Sequence, residues 1–157
     1  MLVWSTGFTY NEPLAPMEIR GRGGVDLREH WGTRPRAYLG VTVPDFPNFF
    51  CLYGPGTNLA SGGSIIFASE CEVTFMVECL RLLAEGGHGA IEPTRAAYDD
   101  WYERVQAEAQ TMVWASPHIE HNYYKNAEGD VHGLNPFRIV DYWAWTRRPD
   151  PADYQLS

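Results

Sequence analysis

The stretch from Phe46 to Glu72, FPNFFCLYGPGTNLASGGSIIFASECE, decides how the rest of the chain is read. Its apolar run Phe49-Phe50-Cys51-Leu52-Tyr53 predicts a short buried strand. A glycine-rich turn follows at Gly54-Pro55-Gly56-Thr57, and the small residues Ala60-Ser61-Gly62-Gly63-Ser64 lead into a long apolar-periodic helix. Strand, turn and helix in that order set backbone N–H groups and a helix N-terminus around one concavity. Such a concavity suits the carbonyl-bearing edge of a cofactor, or a phosphate. A plain strand-to-helix connection also needs glycines of positive φ, and spacing does not separate the two readings.

Downstream, the helix is expected from Ser64 to Glu85. Glu70, Thr74, Glu78, Arg81 and Glu85 fall on one narrow polar stripe. Ile65, Ile66, Val73, Met76, Val77, Leu80, Leu83 and Ala84 cover most of the remaining surface. So wide an apolar surface implies packing on two sides, with Gly86 and Gly87 ending the helix. His88 to Glu92 reads as an extended link, and Pro93-Thr94 opens a second helix. Tyr98, Trp101, Tyr102, Val105, Ala109 and Met112 form its apolar face, with Asp99, Asp100, Glu103, Arg104 and Glu108 solvated. The tail is loop-rich: Tyr123 to Val131 has hairpin chemistry around Asn126 to Gly129, and Ile139 to Arg148 reads as a closing helix stopped by Pro149.

Upstream, Leu2-Val3-Trp4 reads as an apolar strand without lead-in, which predicts that the chain is the downstream part of something longer. Asn11 to Ala37, with Pro13, Pro16, Pro35 and the turn Gly21 to Gly24, reads as an irregular excursion. Within it, Val25 to Trp31 predicts a short helix, Asp26 near its start and Gly32 after its end. Tyr38 to Val43 predicts a strand by its β-branched alternation, joined to the next by a rigid turn at Pro44 to Asn48.

With 157 residues the chain is long enough for one domain with a sizeable core. Its aromatic content, 14%, is high enough to imply packing against another layer, a subunit or a ring-shaped ligand. A net charge of −8 argues against nucleic acid or an anionic membrane surface as partner. Cys51, Cys71 and Cys79 are odd in number, and the last two lie about 12 Å apart along one helix, too far for a disulfide. They read as small buried apolar groups of a reducing, cytoplasmic setting. No stretch reads as a membrane span or a signal peptide.

Motifs that carry chemistry are few. His118 and His121 superficially suggest a metal pair, but Pro117 and the lack of further ligands make them loop histidines, so no metal site is expected. There is no nucleophile elbow, P-loop or C-x-x-C. No G-x-G-x-x-G follows a strand: Gly54-x-Gly56 runs into Leu59, and Gly87-x-Gly89 into Glu92. A dinucleotide site would need its phosphate loop from elsewhere.

Read together, several short motifs resemble the class B flavoprotein monooxygenases, the Baeyer–Villiger and 4-hydroxyacetophenone monooxygenase group. Ser5-Thr6-Gly7-Phe8 is similar to the family's A-T-G-[FY]. Ile19 to Val25, Tyr38 to Pro44, Phe46 to Phe50 and Gly54-Pro55-Gly56-Thr57-Asn58 before a helix with Glu70 follow in the family's order. Tyr123-Tyr124-Lys125-Asn126 resembles its W-Y-x-N segment with Tyr in place of Trp, and Arg147 to Tyr154 resembles its ending. Their order along the full length makes the match specific.

The resemblance implies an α/β fold: the C-terminal portion of a two-dinucleotide-binding fold, with a few strands, a long central helix and a second amphipathic helix, incomplete as a domain. Residues 1–92 would be the C-terminal part of the FAD-binding region, and 93–157 a helix with an aromatic tail. It implies FAD reduced by NADPH, with oxygen inserted next to a ketone or onto a heteroatom of a small organic substrate. By the same resemblance, cofactor contacts would come from Thr6, Gly7, Gly54, Pro55, Gly56, Thr57, Asn58, Gly63, Ser64, Ile65 and Tyr123. No catalytic residue carries over, because the family's active-site arginine and both glycine-rich loops have no counterpart here. Three readings follow: a fragment of a monooxygenase that is inactive alone, a subunit complementing a separately encoded N-terminal half, or a non-catalytic remnant. The apolar surface of the long helix predicts self-association of the isolated chain.

Overall fold

A computed structural model describes residues 1–4, 12–60, 62–119, 123–126 and 128–157. The expected cofactor contacts Thr6 and Gly7, and His121 of the suggested metal pair, lie outside the described residues. Helices organise the fold: α1 (Leu27–Trp31), α2 (Ile65–Gly86), α3 (Arg95–Ala109) and α4 (Ile139–Trp145). The strands are two or three residues long: β1 (Asn58–Leu59), β2 (Ile91–Pro93), β3 (Leu134–Asn135) and β4 (Tyr154–Leu156). β1 pairs with β3 in parallel, Asn58 opposite Leu134, and β2 pairs with β4 antiparallel, Ile91 opposite Leu156.

The capping residues explain where the helices begin. Asp26, Ser64 and Thr94 each accept a hydrogen bond from a first-turn N–H, worth about 1 kcal/mol apiece. Gly87 closes α2 in the left-handed conformation at φ 66°, which a glycine adopts without steric cost. α2 buries Ala68, Cys71, Glu72, Phe75, Cys79 and Leu83 along one face. Phe75 and Cys79 meet Leu39, Val41, Ile91, Trp101, Val105 and Tyr154 in the main core. A second cluster joins α1 to α3 through Leu27, Trp31, Val43, Phe46 and Tyr98. In the main core Trp101, Phe137 and Trp145 meet edge-on or tilted at 5.0 to 5.6 Å, and the guanidinium of Arg104 lies 4.9 Å from the Trp145 ring.

Three expected strands are not formed. Residues 2–4 are exposed and outside any sheet, because a strand needs a hydrogen-bonding neighbour. Tyr38 to Val43 is a tight reversal: Leu39 and Gly40 take φ 52° and 74°, and Tyr38 bridges Thr42. A Cβ on Gly40 would stand 2.0 Å from the Thr57 methyl, so the close approach requires glycine there. Val41 and Val43 are fully buried by packing and not by sheet pairing. Phe49 to Tyr53 holds a single bridge, Phe50 to Thr42, and then turns outward with Tyr53 at φ 54°. The expected short helix after Asp26, the turn at Pro44 to Asn48, both long helices and the closing helix are all present. The expected hairpin at 123–131 reduces to one bridge, Lys125 to Val131, closed by Gly129 N–H on the Asn126 carbonyl.

The three cysteines are buried and free. Among the described residues no helix is long and apolar enough to cross a membrane.

Candidate functional site

The turn after Tyr53 is built from its own residues. Pro55 fixes one φ and Gly56 supplies φ 85°, the pattern of a type II turn, closed by Thr57 N–H on the Gly54 carbonyl at 3.2 Å. The Thr57 hydroxyl donates to the same carbonyl at 2.7 Å. Gly54 lies so close to Gly40 that a Cβ would stand 2.2 Å from the Gly40 carbonyl oxygen. β1 then runs beside β3, with Asn58 N–H on the Gly133 carbonyl at 3.1 Å. From the tail, Lys125 donates to the carbonyls of Ser116 and Ile119 at 3.0 Å each, fixing the 123–126 segment. His132 N–H donates to the Tyr124 carbonyl at 2.9 Å.

Where these segments meet there is an open cavity of about 270 Å³, lined by Gly54, Pro55, Asn58 and Tyr123 together with Tyr53 and His132. Burial holds the His132 imidazole below its ordinary pKa, and so neutral, against the opposing pull of Asp130. The Tyr53 hydroxyl donates to the Asn58 side-chain oxygen at 2.5 Å. A complete small-molecule pocket is about 300–1,000 Å³, so this cavity suits the edge of a ring system and not a whole dinucleotide.

Beneath the turn lies Glu72 of α2, fully buried. Its Oε2 accepts the Tyr53 N–H at 2.5 Å, and its Oε1 stands 3.4 Å from the Tyr142 hydroxyl. The Thr57 side chain also lies beside this carboxyl. Burial raises the Glu72 pKa above the ordinary 4.5, and these contacts act in the opposite direction. Burial, with Glu72 adding to it, pushes the Cys51 thiol up to about 12, which makes it an unreactive thiol while the turn is closed.

Of the cofactor contacts expected from sequence, the structure gathers Gly54, Pro55, Asn58 and Tyr123 around the cavity. Gly56 lines a separate narrow cleft behind it, and Thr57 is buried. Gly63, Ser64 and Ile65 are outside the lining, since the N-terminus of α2 approaches Leu59 and Ile139 instead. The turn N–H groups of Tyr53, Thr57 and Asn58 are spent on partners within the chain. Sequence reading missed His132 and Glu72. Glu72 shares its helix face with Ala68, Cys71, Phe75 and Cys79, and that register was the available signal. Among the described residues no group of His, Cys, Asp and Glu could hold a metal ion.

No family model matches the chain. An uncharacterised monooxygenase of Sinorhizobium fredii is 32% identical over 99% of the chain and 23% of its own length. An FAD-binding monooxygenase of Aspergillus niger is 34% identical over the whole chain and 26% of its own length. A Baeyer–Villiger monooxygenase of Pseudomonas aeruginosa is 29% identical over 99% of the chain and 29% of its length. A steroid monooxygenase solved in oxidised form with NADP has a TM-score of 0.76 and 28% identity over 88% of this chain and 26% of its own. The chain thus spans about a quarter of the length of the curated relatives it matches. It is homologous along its whole length to a segment of Baeyer–Villiger and FAD-binding monooxygenases, and its mixed helix-and-strand fold is part of a flavoprotein monooxygenase fold.

Proposed function

We propose that this chain is the C-terminal part of an FAD- and NADPH-dependent monooxygenase, and that Gly54, Pro55, Asn58 and Tyr123 form one wall of its cofactor site. The observation that carries this is the cavity itself. It joins a turn and a tail segment far apart in sequence, and both match family motifs. Backbone at Gly54-Pro55 and the Tyr123 ring line the same cavity, which fits the edge of a planar ring. A Cβ built on Gly56 meets nothing within 4 Å, so the outer side of the turn leaves room for a neighbour. FAD, reduced by NADPH, would supply the electrons for reaction with oxygen. This chain's residues would position the ring and limit its contact with water. The substrate would be a small organic molecule, oxidised next to a ketone or at a heteroatom.

The chain alone is read as inactive. It has no glycine-rich dinucleotide loop, and pyrophosphate affinity comes largely from the helix N-terminus after such a loop. The open apolar side of α2, where Ile65, Ile66, Val73, Val77 and Leu80 face solvent, fits cover by an upstream FAD-binding half, in the same chain or separately encoded. Three free cysteines suit a cytoplasmic setting.

The test compares Gly56→Val, Gly63→Val and Glu103→Gln in a protein that joins this chain to an upstream FAD-binding half. Gly56 and Gly63 have φ of 85° and 124°, which valine tolerates poorly. Gly56→Val, in the turn that carries the cavity wall, should lower flavin occupancy or shift its absorption, whereas Gly63→Val, outside the lining, and Glu103→Gln, on the exposed face of α3, should do neither. Equal flavin content and spectra in all folded variants would make the turn a connector only. The isolated chain, mixed with excess FAD, should leave a gel-filtration column colourless.

A further inference from the structure

Glu72 is an acid buried where a helix of this length would ordinarily carry an apolar residue. Among the described residues no ion pair involves it. Cys51, Cys71, Tyr53, Thr57 and Tyr142 are the polar groups that face it, and none brings a positive charge. An isolated buried carboxylate is costly, so the hydrogens around it decide its form.

Counting those hydrogens is possible because each hydroxyl has one. Tyr142 donates to the Leu39 carbonyl at 2.8 Å, far better than the 3.4 Å separation from Glu72 Oε1. Thr57 donates to the Gly54 carbonyl at 2.7 Å. The shorter bonds of both hydroxyls therefore go to carbonyls, and the Tyr53 N–H is the donor committed to the carboxyl. A proton on Oε1 is compatible with this arrangement: Oε2 accepts from Tyr53, and Oε1–H faces the Tyr142 oxygen across a long 3.4 Å contact.

We propose that Glu72 is a positioning residue of the candidate site, held as a neutral carboxylic acid that ties the Tyr53–Thr57 turn to α2 and α4. It connects three segments: the turn through Tyr53, its own helix, and α4 through Tyr142. Ionisation leaves a buried charge with no cation beside it and loosens the turn. Cys51, buried directly beneath Gly54, is uncovered when that happens. The proposal rests on the proposed function only for what the turn is used for, and its test contains no flavin, so the two fail separately.

In the chain labelled with carboxyl-¹³C glutamate, one side-chain carboxyl carbon should titrate at higher pH than the other glutamates, and that signal should be absent in Glu72→Gln. Glu72→Gln keeps one acceptor for Tyr53 and one donor for Tyr142. Amide exchange at Tyr53 and Thr57, and alkylation of Cys51 followed by mass spectrometry, should then stay within about twofold of the parent. Glu72→Ala should accelerate both at least tenfold. Raising the pH should open the turn in the parent beyond the intrinsic rise in exchange, and leave Glu72→Gln closed. The proposal is overturned if all glutamate carboxyls titrate together in their ordinary range, a measurement that needs no variant. It is equally overturned if Glu72→Gln opens the turn as far as Glu72→Ala, or if Glu72→Ala leaves it closed.

Discussion

The two sides of α2 invert the usual rule. The inner side carries a carboxyl, two thiols and Phe75, with Glu72 and Phe75 both fully buried. The outer side carries aliphatic residues in the open, with Ile66 73% and Leu80 47% exposed. Burial is therefore set by what stands opposite the helix and not by the apolarity of the residue. The inner side meets the 39–57 segment, α3, α4 and β4. Nothing among the described residues covers the outer side to the same degree, which agrees with a chain that spans about a quarter of its relatives. It also separates two kinds of conservatism in a helix: the inner face tolerates little change here, and the outer face waits on a partner.

The largest way to break this contrast is truncation on each side. Phe75→Ala removes a fully buried ring that packs 6.3 Å from Tyr154 and should cost about 3–5 kcal/mol in denaturant unfolding. Val77→Ala, half-exposed on the opposite side, should stay within about 0.5 kcal/mol. Comparable losses at both positions would mean that the outer side is covered in solution.

A second effect concerns association. Contiguous apolar patches beyond a few hundred Å² drive proteins together. The isolated chain should sediment as dimers or larger species and bind a hydrophobic dye. Ile66→Glu combined with Leu80→Lys should shift it toward monomer and reduce the dye signal, with little change in helix content. A parent that is already monomeric and dye-free would remove the outer face as an interaction surface.

Much of α2 was legible before the structure. Its period, the Ser64 cap and Gly87 all act within a few residues, so local chemistry is sufficient. The Gly54–Thr57 turn was legible for the same reason, because Pro55 fixes one φ and Gly56 permits the positive one that follows. The strands at 38–43 and 49–53 were misread. Alternating apolar residues signal burial, and here burial is met by a glycine reversal at Gly40 and not by a sheet. The site divides in the same way. Gly54 and Tyr123 came together through the order of family motifs, whereas Gly63 to Ile65 did not reach the cavity because the α2 N-terminus is turned toward Leu59 and Ile139. Glu72 escaped notice because a charge is read as solvated unless its helix register is weighed against it.

The smallest expected effect sharpens the contrast from the inner side, through pH. Glu72 has a pKa raised above 4.5 in the folded chain, with burial as the largest cause. Below about 4.5 it is protonated whether the chain is folded or not, and its full contribution to stability is present. As pH rises from there toward its folded pKa, the unfolded chain ionises Glu72 freely and the folded chain does not, so stability is lost through that interval. His30 and His132 have the opposite sign: burial lowers both below 6.5, and their contribution is lost as pH falls through that region. Those two terms are common to parent and Glu72→Gln and cancel in the difference. The two proteins should therefore unfold alike at low pH and diverge above 4.5, with Glu72→Gln the more resistant at neutral pH. Chemical unfolding of both across the range measures the difference directly. A parent that gains on the variant as pH rises would mean that the buried group works as a charge and that the inner side of α2 is stabilised by its ionised form.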